Sequence, residues 1–547
     1  MRDAIGIHFG SQNVIGAYIR KTEPRVFDNL DNEPITSSVV HLTEGGEWIV
    51  GKTAKKASGM SEEDAANTVF SIRQYIGHDF DDKDYAEAFA QSHLQVEKAQ
   101  NGEVEIILRG RRFSPPVISA FLLEYLKRSA ESFVVQEVRH AVISVPASFG
   151  IRQINATRLA GRLAGLNVLR IIPEPTAATL AYGIASESNE RMAILVYDFE
   201  DDAFEAIVML IDAGVYEIQG RLNDTHLGGD NFDYKIMDWI FEQIRIQHGV
   251  DLRSTANKEV KFRLKQAAED AKLSLSKTTR TQIVWPVVTK QGGKIIDLEC
   301  ELKREDFNGM IKPLVDRSVD LVYEAIKLAR TTPDGIDAIL LVGGSMGVPL
   351  VVDTIRSIFG SKVIRGEINP MYCVAQGAAI ETMLVKDSVI EADRSIIACE
   401  HCGMLNLESR LECRGCGKEL KKDITVFLTT SYPIGTRMAG GRMDIIIPEG
   451  TIYYPTKYSK TIEMKTTYDG QGTIRFPIFE GRDESAAKNQ ILGYVCCRLA
   501  PGLPEATSVE LSFWIDDDGI IALSARIPTQ PWVQIEVSMQ WMRDKAH

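Results

Sequence analysis

At 547 residues the chain is too long for a single hydrophobic core, and two or three domains are expected. Apolar residues make up 44% and charged residues 25%, an ordinary globular balance, while a net charge of −13 without any block of Lys or Arg argues against nucleic acid as a partner. No stretch approaches about 18 apolar residues and the N-terminus enters a strand almost at once, so neither a membrane span nor a signal peptide is expected. The eight cysteines are therefore read in a reducing, cytoplasmic setting.

Strand-like runs alternate with amphipathic helices through residues 1–386, the pattern of a doubly wound or actin-like α/β fold. Residues 5–20 read as a hairpin with a Gly/Ser/Gln/Asn turn, and long helices are predicted over 115–136 and 258–277. The run AILVYD (193–198) ends in Asp198, and IVMLID follows FEDDAFEA (199–206); this predicts two buried strands joined by the turn Glu200, Asp201, Asp202 and Ala203. Over 387–422 the composition shifts to Cys, Glu, Arg and Lys. Residues 423–547 carry short alternating strands with Gly-containing turns, the mark of a β-sandwich.

Within the insert, Cys399-x2-Cys402 and Cys413-x2-Cys416 have the spacing of a zinc ribbon, and Gly403 and Gly417 follow the two pairs. Each knuckle of such a ribbon turns two thiolates toward one tetrahedral Zn2+. With so few apolar residues the insert needs the metal to hold together. It is expected to dock a partner or to space the flanking domains. His401 is read as a bystander. Cys496 and Cys497, adjacent in a strand, point to opposite faces, and Cys300 and Cys373 read as core.

Five blocks in fixed order carry a resemblance. The 193–211 segment resembles the second phosphate loop of the actin-like ATPase superfamily. NDTHLGGDNFD (223–233), the stretch 141–183 around IIPEPTAATLAYG, LLVGGSMGVP (340–349) and INPMYCVAQGAA (368–379) resemble the 70-kDa heat-shock chaperone family. The resemblance runs from residue 1 to about 385 and resumes over about 424–527. It implies an actin-like, duplicated ribonuclease-H-like ATPase domain, here followed by the zinc ribbon and the all-β sandwich. The family's leucine-rich linker is missing, and no room is left for its helical lid.

The resemblance also implies roles for residues. Glu269, Lys272 and Ser276, at i, i+3 and i+7 of a helix, match positions contacting adenine and ribose. Gly343, Gly344 and Ser345 match the facing turn, and Gly228 and Gly229 fall in a nucleotide-binding block. Arg73 stands for the catalytic lysine, keeping the charge as a rigid fork. Glu174, Asp198 and Glu205 keep acidic positions that arrange metal and water. Ser11 and Gln12 stand at phosphate-contacting hydroxyls, and Pro146 with Glu174 matches the pair that senses the phosphate site. Departures are equally specific. His8 replaces the first-loop aspartate, Gly347 the stacking arginine, and Met371 the aspartate of an Asn-Pro-Asp turn.

In the family the second loop is three glycines and a threonine, whose N–H groups hold the phosphates. Glu200, Asp201 and Asp202 in that place repel anions, at a cost on the order of 4 kcal/mol per like-charge contact near 4 Å. Two arrangements are open: the carboxylates occupy the phosphate space and hold the cleft in one state, or they bind a divalent cation bridging to nucleotide. The first is preferred, because His8 removes the natural anchor for such a metal.

PTKYSKTIEM and FEGRDESAAKNQILG are the sharpest matches in the sandwich, a domain that holds extended polypeptide by strand addition. Ile462, Ile474 and Phe476 match its pocket, and Thr436, Met438 and Ala439 the rim. The function expected is chaperone-like binding of unfolded or extended polypeptide or a specific partner, with co-chaperones, weak ATP/ADP–Mg2+ binding and weak or lost hydrolysis. The alternatives are a working ATP-dependent foldase and a pseudo-ATPase scaffold.

Overall fold

The computed structural model describes residues 3–21, 23–59, 61–82, 93–99, 102–182, 191–201, 203–212, 215–253, 258–291, 294–363, 368–391, 396–398, 405–407, 428–438, 440–454, 459–515, 521–530 and 535–541. The first lobe is built on strand β1 (Ala4–Phe9), which is buried along its whole length. A strand covered on both faces must be apolar almost throughout, and in AIGIHF the one polar side chain is His8. β1 forms a hairpin with β2 (Asn13–Arg20) and pairs in parallel with β3 (His140–Val145). Helix α1 (Pro115–Val134) covers this lobe, starting on two prolines whose missing N–H groups a first turn does not use. Helix α2 (Ile151–Leu163) leads to β4 (Asn167–Pro173), parallel to β3, and then to α3 (Glu174–Ala181).

The second lobe repeats the plan. β5 (Met192–Phe199) forms a hairpin with β6 (Phe204–Asp212), β6 pairs with β7 (Val215–Asp224), and β5 runs parallel to β8 (Ala338–Val342). In both lobes a hairpin lies beside a parallel strand, so the turns 10–12 and 200–203 face each other across one cleft. Helices α4 (Gly229–His248), α5 (Lys258–Lys277) and α6 (Arg304–Leu328) wall the second lobe; α4 stops at Gly249, whose φ of 71° only glycine adopts without strain. Helix α7 (Cys373–Glu391) crosses back to the first lobe, and Gly377 permits backbone contact with α3: a Cβ there would lie 1.7 Å from the Ala177 carbonyl oxygen.

Beyond α7, β9 (Ile396–Ala398) and β10 (Leu405–Leu407) pair antiparallel. The sandwich follows. One sheet runs β12 (Met443–Ile447), β11 (Ile434–Arg437), β14 (Thr473–Glu480), β15 (Gln490–Arg498) and β18 (Glu536–Trp541). The other runs β13 (Ser459–Lys465), β16 (Ser508–Ile515) and β17 (Ile521–Arg526). Strict alternation of burial along β16 is what one covered and one open face require. One hydrophobic cluster joins Ile172, Val196 and Leu340 of the lobes, through Ala147 and Ile151, to Ile434, Ile447 and Phe476 of the sandwich.

Candidate functional site

At the bottom of the cleft, β1 delivers His8 and the start of α3 delivers Glu174, while a short 3-10 turn at Ile72–Tyr75 delivers Arg73. All three are buried. Arg73 Nη1 donates to Glu174 Oε1 at 2.9 Å and to the Phe9 carbonyl at 3.4 Å. From the second lobe, Glu200 brings its carboxylate to the same cations: Oε2 lies 3.6 Å from Arg73 Nη2, and Oε1 lies 3.5 Å from His8 Nε2. His8 Nε2 is also 3.4 Å from Glu174 Oε1. Burial pulls the His8 pKa down, but the Glu174 and Glu200 carboxylates push it up by more, to above its usual 6.5. Glu174 is held below the ordinary carboxylate range: burial opposes ionisation, and Arg73 and His8 outweigh it.

Asp198 and Glu205 are cross-strand partners on β5 and β6. Burial raises both pKa values; Asp198 goes well above the carboxylate range, with the Glu200 and Glu174 charges adding to the effect. Asp198 Oδ1 and Glu205 Oε2 accept no hydrogen bond among the described residues.

The turn itself is closed by Glu200 N–H donating to the Ala203 carbonyl at 3.0 Å. Its carbonyls accept from the start of α4: Gly229 N–H to Glu200 O at 2.9 Å and Asp230 N–H to Asp201 O at 2.8 Å. Those donors would otherwise make a helix N-terminus attractive to anions. The Asp201 side chain lies against Gly229, where a Cβ would come within 2.7 Å of Asp201 Oδ1 and 2.8 Å of Ser345 Oγ. Asp202 lies outside the described residues.

The expected nucleoside contacts are engaged elsewhere. Glu269 accepts from Lys55 of the first lobe at 3.1 Å, and Lys272 donates to Asp233 Oδ2 at 2.9 Å and to the Gly229 carbonyl at 3.2 Å. Burial lowers the Lys272 pKa, but Asp233 and Asp201 raise it by more. Ser276 Oγ donates to the Lys272 carbonyl, and Gly343 turns with φ 96° against the Phe199 carbonyl. Gln12 spans the cleft, donating to Asp230 Oδ1 at 3.0 Å, whereas Ser11 Oγ is buried without a partner among the described residues. Between His8, Glu200, Asp201, Gly343, Gly344 and Met371 remains a cavity of about 20 Å3, room on the order of one water. The N–H groups of Glu200, Gly229 and Asp230 are bonded within the chain, and the Glu200 and Asp201 carboxylates line the space that remains.

In the sandwich, Ile474 and Phe476 on β14 and the half-buried Ile462 on β13 pack into the inter-sheet core. Thr436 is buried, its hydroxyl donating to the Pro477 carbonyl at 2.8 Å, while Met438 is half exposed beyond β11. The residues expected to form a pocket thus lie together, as core. Ala439 and the four cysteines, Cys399, Cys402, Cys413 and Cys416, lie outside the described residues. Cys373 is buried as expected, Cys496 and Cys497 are both buried, and Cys300 is only half buried. No group of three or more potential metal ligands occurs among the described residues. Sequence reasoning missed Asp233, although its place four residues after Gly229 puts it on the helix face that meets α5. It also missed Lys55, which no local pattern marks.

Two lobes of one plan closing on a polar cleft, with a β-sandwich behind them, define the actin-like ATPase class of α/β fold joined to a β-sandwich. The family model described as Hsp70 protein matches residues 4–396 and 416–543. Over 523 residues the chain is 32% identical to "Heat shock protein SSC3, mitochondrial" of Saccharomyces cerevisiae, covering 95% of this chain and 74% of that protein. The chain belongs to the Hsp70 family, whose members bind ATP or ADP with Mg2+ as well as unfolded polypeptide and co-chaperones. No helix among the described residues is long and apolar enough to cross a membrane.

Proposed function

We propose that this Hsp70 protein binds extended polypeptide or a partner protein through its sandwich, with nucleotide binding weakened and hydrolysis weak or lost. The observation that supports this reading is the Glu200 carboxylate seated between Arg73 and His8, a resident anion where the family places phosphate. Titration calorimetry with MgATP and MgADP, run beside phosphate release, tests it. No turnover is expected, and replacing residues 200–203 by Gly-Gly-Gly-Thr should raise ATP affinity at least tenfold. Micromolar ATP binding with turnover in the native chain overturns the reading and makes the protein a foldase.

The same reading divides the chain into a nucleotide-binding-type unit over 1–386, a zinc ribbon over 387–422 and a sandwich over 423–547. Strands β9 and β10 pair in the register Ala398↔Leu405, and Cys399 and Cys402 fall between them in the sequence. Thiolate ligands ask for a reducing compartment such as the cytosol. Elemental analysis of protein purified without chelator should find one zinc per chain; less than about half an equivalent removes the ribbon.

A further inference from the structure

The sandwich meets the lobes through a small set of polar groups that the cleft chemistry does not use. Glu480, at the end of β14, is buried and reaches helix α2 of the first lobe: its two carboxylate oxygens accept from the Ile151 N–H at 3.2 and 3.3 Å. An acidic side chain at a helix N-terminus satisfies a donor that has no partner within the helix, and here it comes from another part of the chain, 329 residues away. Gly150 admits it, since a Cβ there would lie 2.4 Å from Glu480 Oε2. On the other side of the same loop, Arg221 of β7 donates one guanidinium nitrogen to the Ala147 carbonyl and another to the Ser431 carbonyl at 3.1 Å. Ser431 Oγ donates to the same Ala147 oxygen at 2.9 Å. Tyr432 lies between two cations, its ring 5.9 Å from the Arg221 guanidinium and 4.6 Å from that of Arg482. Beneath these contacts the apolar cluster passes without a break from Ile151 to Ile434.

We propose that Glu480 on the start of α2, with Arg221 holding Ala147 to Ser431 and Tyr432, forms a latch that keeps the sandwich docked on the lobes without nucleotide. The inference rests on the reading of the cleft as filled by Glu200. A nucleotide-driven machine releases one half from the other as its ligand turns over. Here the anion seated in the cleft, Glu200, is part of the chain, and Arg221 lies on β7, the strand paired with the one that carries Glu205. The latch and the cleft therefore sit on neighbouring strands of one sheet.

Hydrogen exchange on the full chain tests this, read by mass spectrometry on peptides covering Ile151–Ala156 and, as a control, Lys258–Lys277. Without nucleotide, the first turn of α2 should be protected in the native chain. Gly150→Ala displaces Glu480 without straining the backbone, as φ at Gly150 is −83°; Arg221→Ala removes the other half. Each should speed exchange of the first turn at least tenfold and leave α5 unchanged. Glu480→Gln keeps an acceptor and should keep protection. Unaltered exchange in both disrupting variants overturns the latch, as does protection of the native chain that develops only on adding MgATP. Calorimetry on the same samples separates that second outcome from a failure of the cleft reading alone, which would show ATP binding with no change in exchange.

Discussion

Glu200 Oε2 lies 3.6 Å from Arg73 Nη2, so an acid of the second lobe is paired with a buried cation of the first across the floor of the cleft. The pair is completed by Glu174 and His8, and every member is at least nine-tenths buried. Such groups depend on one another: a buried charge that loses its counter-ion costs far more than the intact pair contributes.

Arg73→Met should therefore destabilise the chain by about 3–5 kcal/mol, because Glu174 and Glu200 are left buried around a neutral side chain. The double variant Arg73→Met/Glu200→Met should recover at least half of that loss. Urea unfolding followed by fluorescence measures both; a single variant as stable as the native chain refutes the ion cluster.

Stability should also fall as pH rises. The folded His8 pKa is above its unfolded value, so the stability from its imidazolium is complete below about 6.5 and is lost as pH climbs through the folded value. Asp198 acts in the same sense, since its raised pKa means that the folded chain retains a proton the unfolded chain gives up. Thermal melts from about pH 6 to about pH 9 should show a declining midpoint, and His8→Gln should flatten the slope.

Docking of the sandwich should respond to pH for a separate reason. Burial pushes Glu480 up to about 7, against the Ile151 N–H and Arg152, which favour its charged form; Tyr432 faces it from the sandwich side. A carboxyl whose pKa is raised by docking binds a proton on docking, so the contact tightens as pH falls through 7 and loosens above it. Exchange at the first turn of α2, corrected for intrinsic rates, should speed up above pH 7 in the native chain but not in Glu480→Gln.

Two glycines make a matched pair. Gly377→Ala drives a Cβ to 1.7 Å from the Ala177 carbonyl oxygen and should cost about 3 kcal/mol or more, since two helix backbones must separate. Gly309→Ala, in the interior of α6 with nothing within 4 Å, should stabilise by about 0.5–1 kcal/mol. Differential scanning calorimetry reads both; equal effects would contradict the packing at the α3–α7 crossing.

The elements were legible because their periodicity is strong. The helix expected over 258–277 matches Lys258–Lys277, and that over 115–136 ends two residues early at Val134. Both hairpins are buried apolar runs broken by a polar turn, a pattern visible in the sequence. Partners were not legible. The spacing of 269, 272 and 276 puts them on one helix face, and in the structure Lys272 donates to Asp233 while Glu269 accepts from Lys55. Periodicity states which face a residue shares, not which neighbour will reach it first. Glu480 and Ile151, 329 positions apart, could be paired only by tertiary structure.

The hydrogen bonds from Gly229 and Asp230 to the carbonyls of Glu200 and Asp201 bear on how a phosphate could enter the cleft. An arriving phosphate would have to win these amides from acceptors covalently tethered beside them, leaving two carbonyls without these donors, at roughly 1–3 kcal/mol for such a group where it is buried. Neutralising the acids alone, as in Glu200→Gln/Asp201→Asn, removes the repulsion but not this rival. Only rebuilding the backbone of the turn frees the helix end.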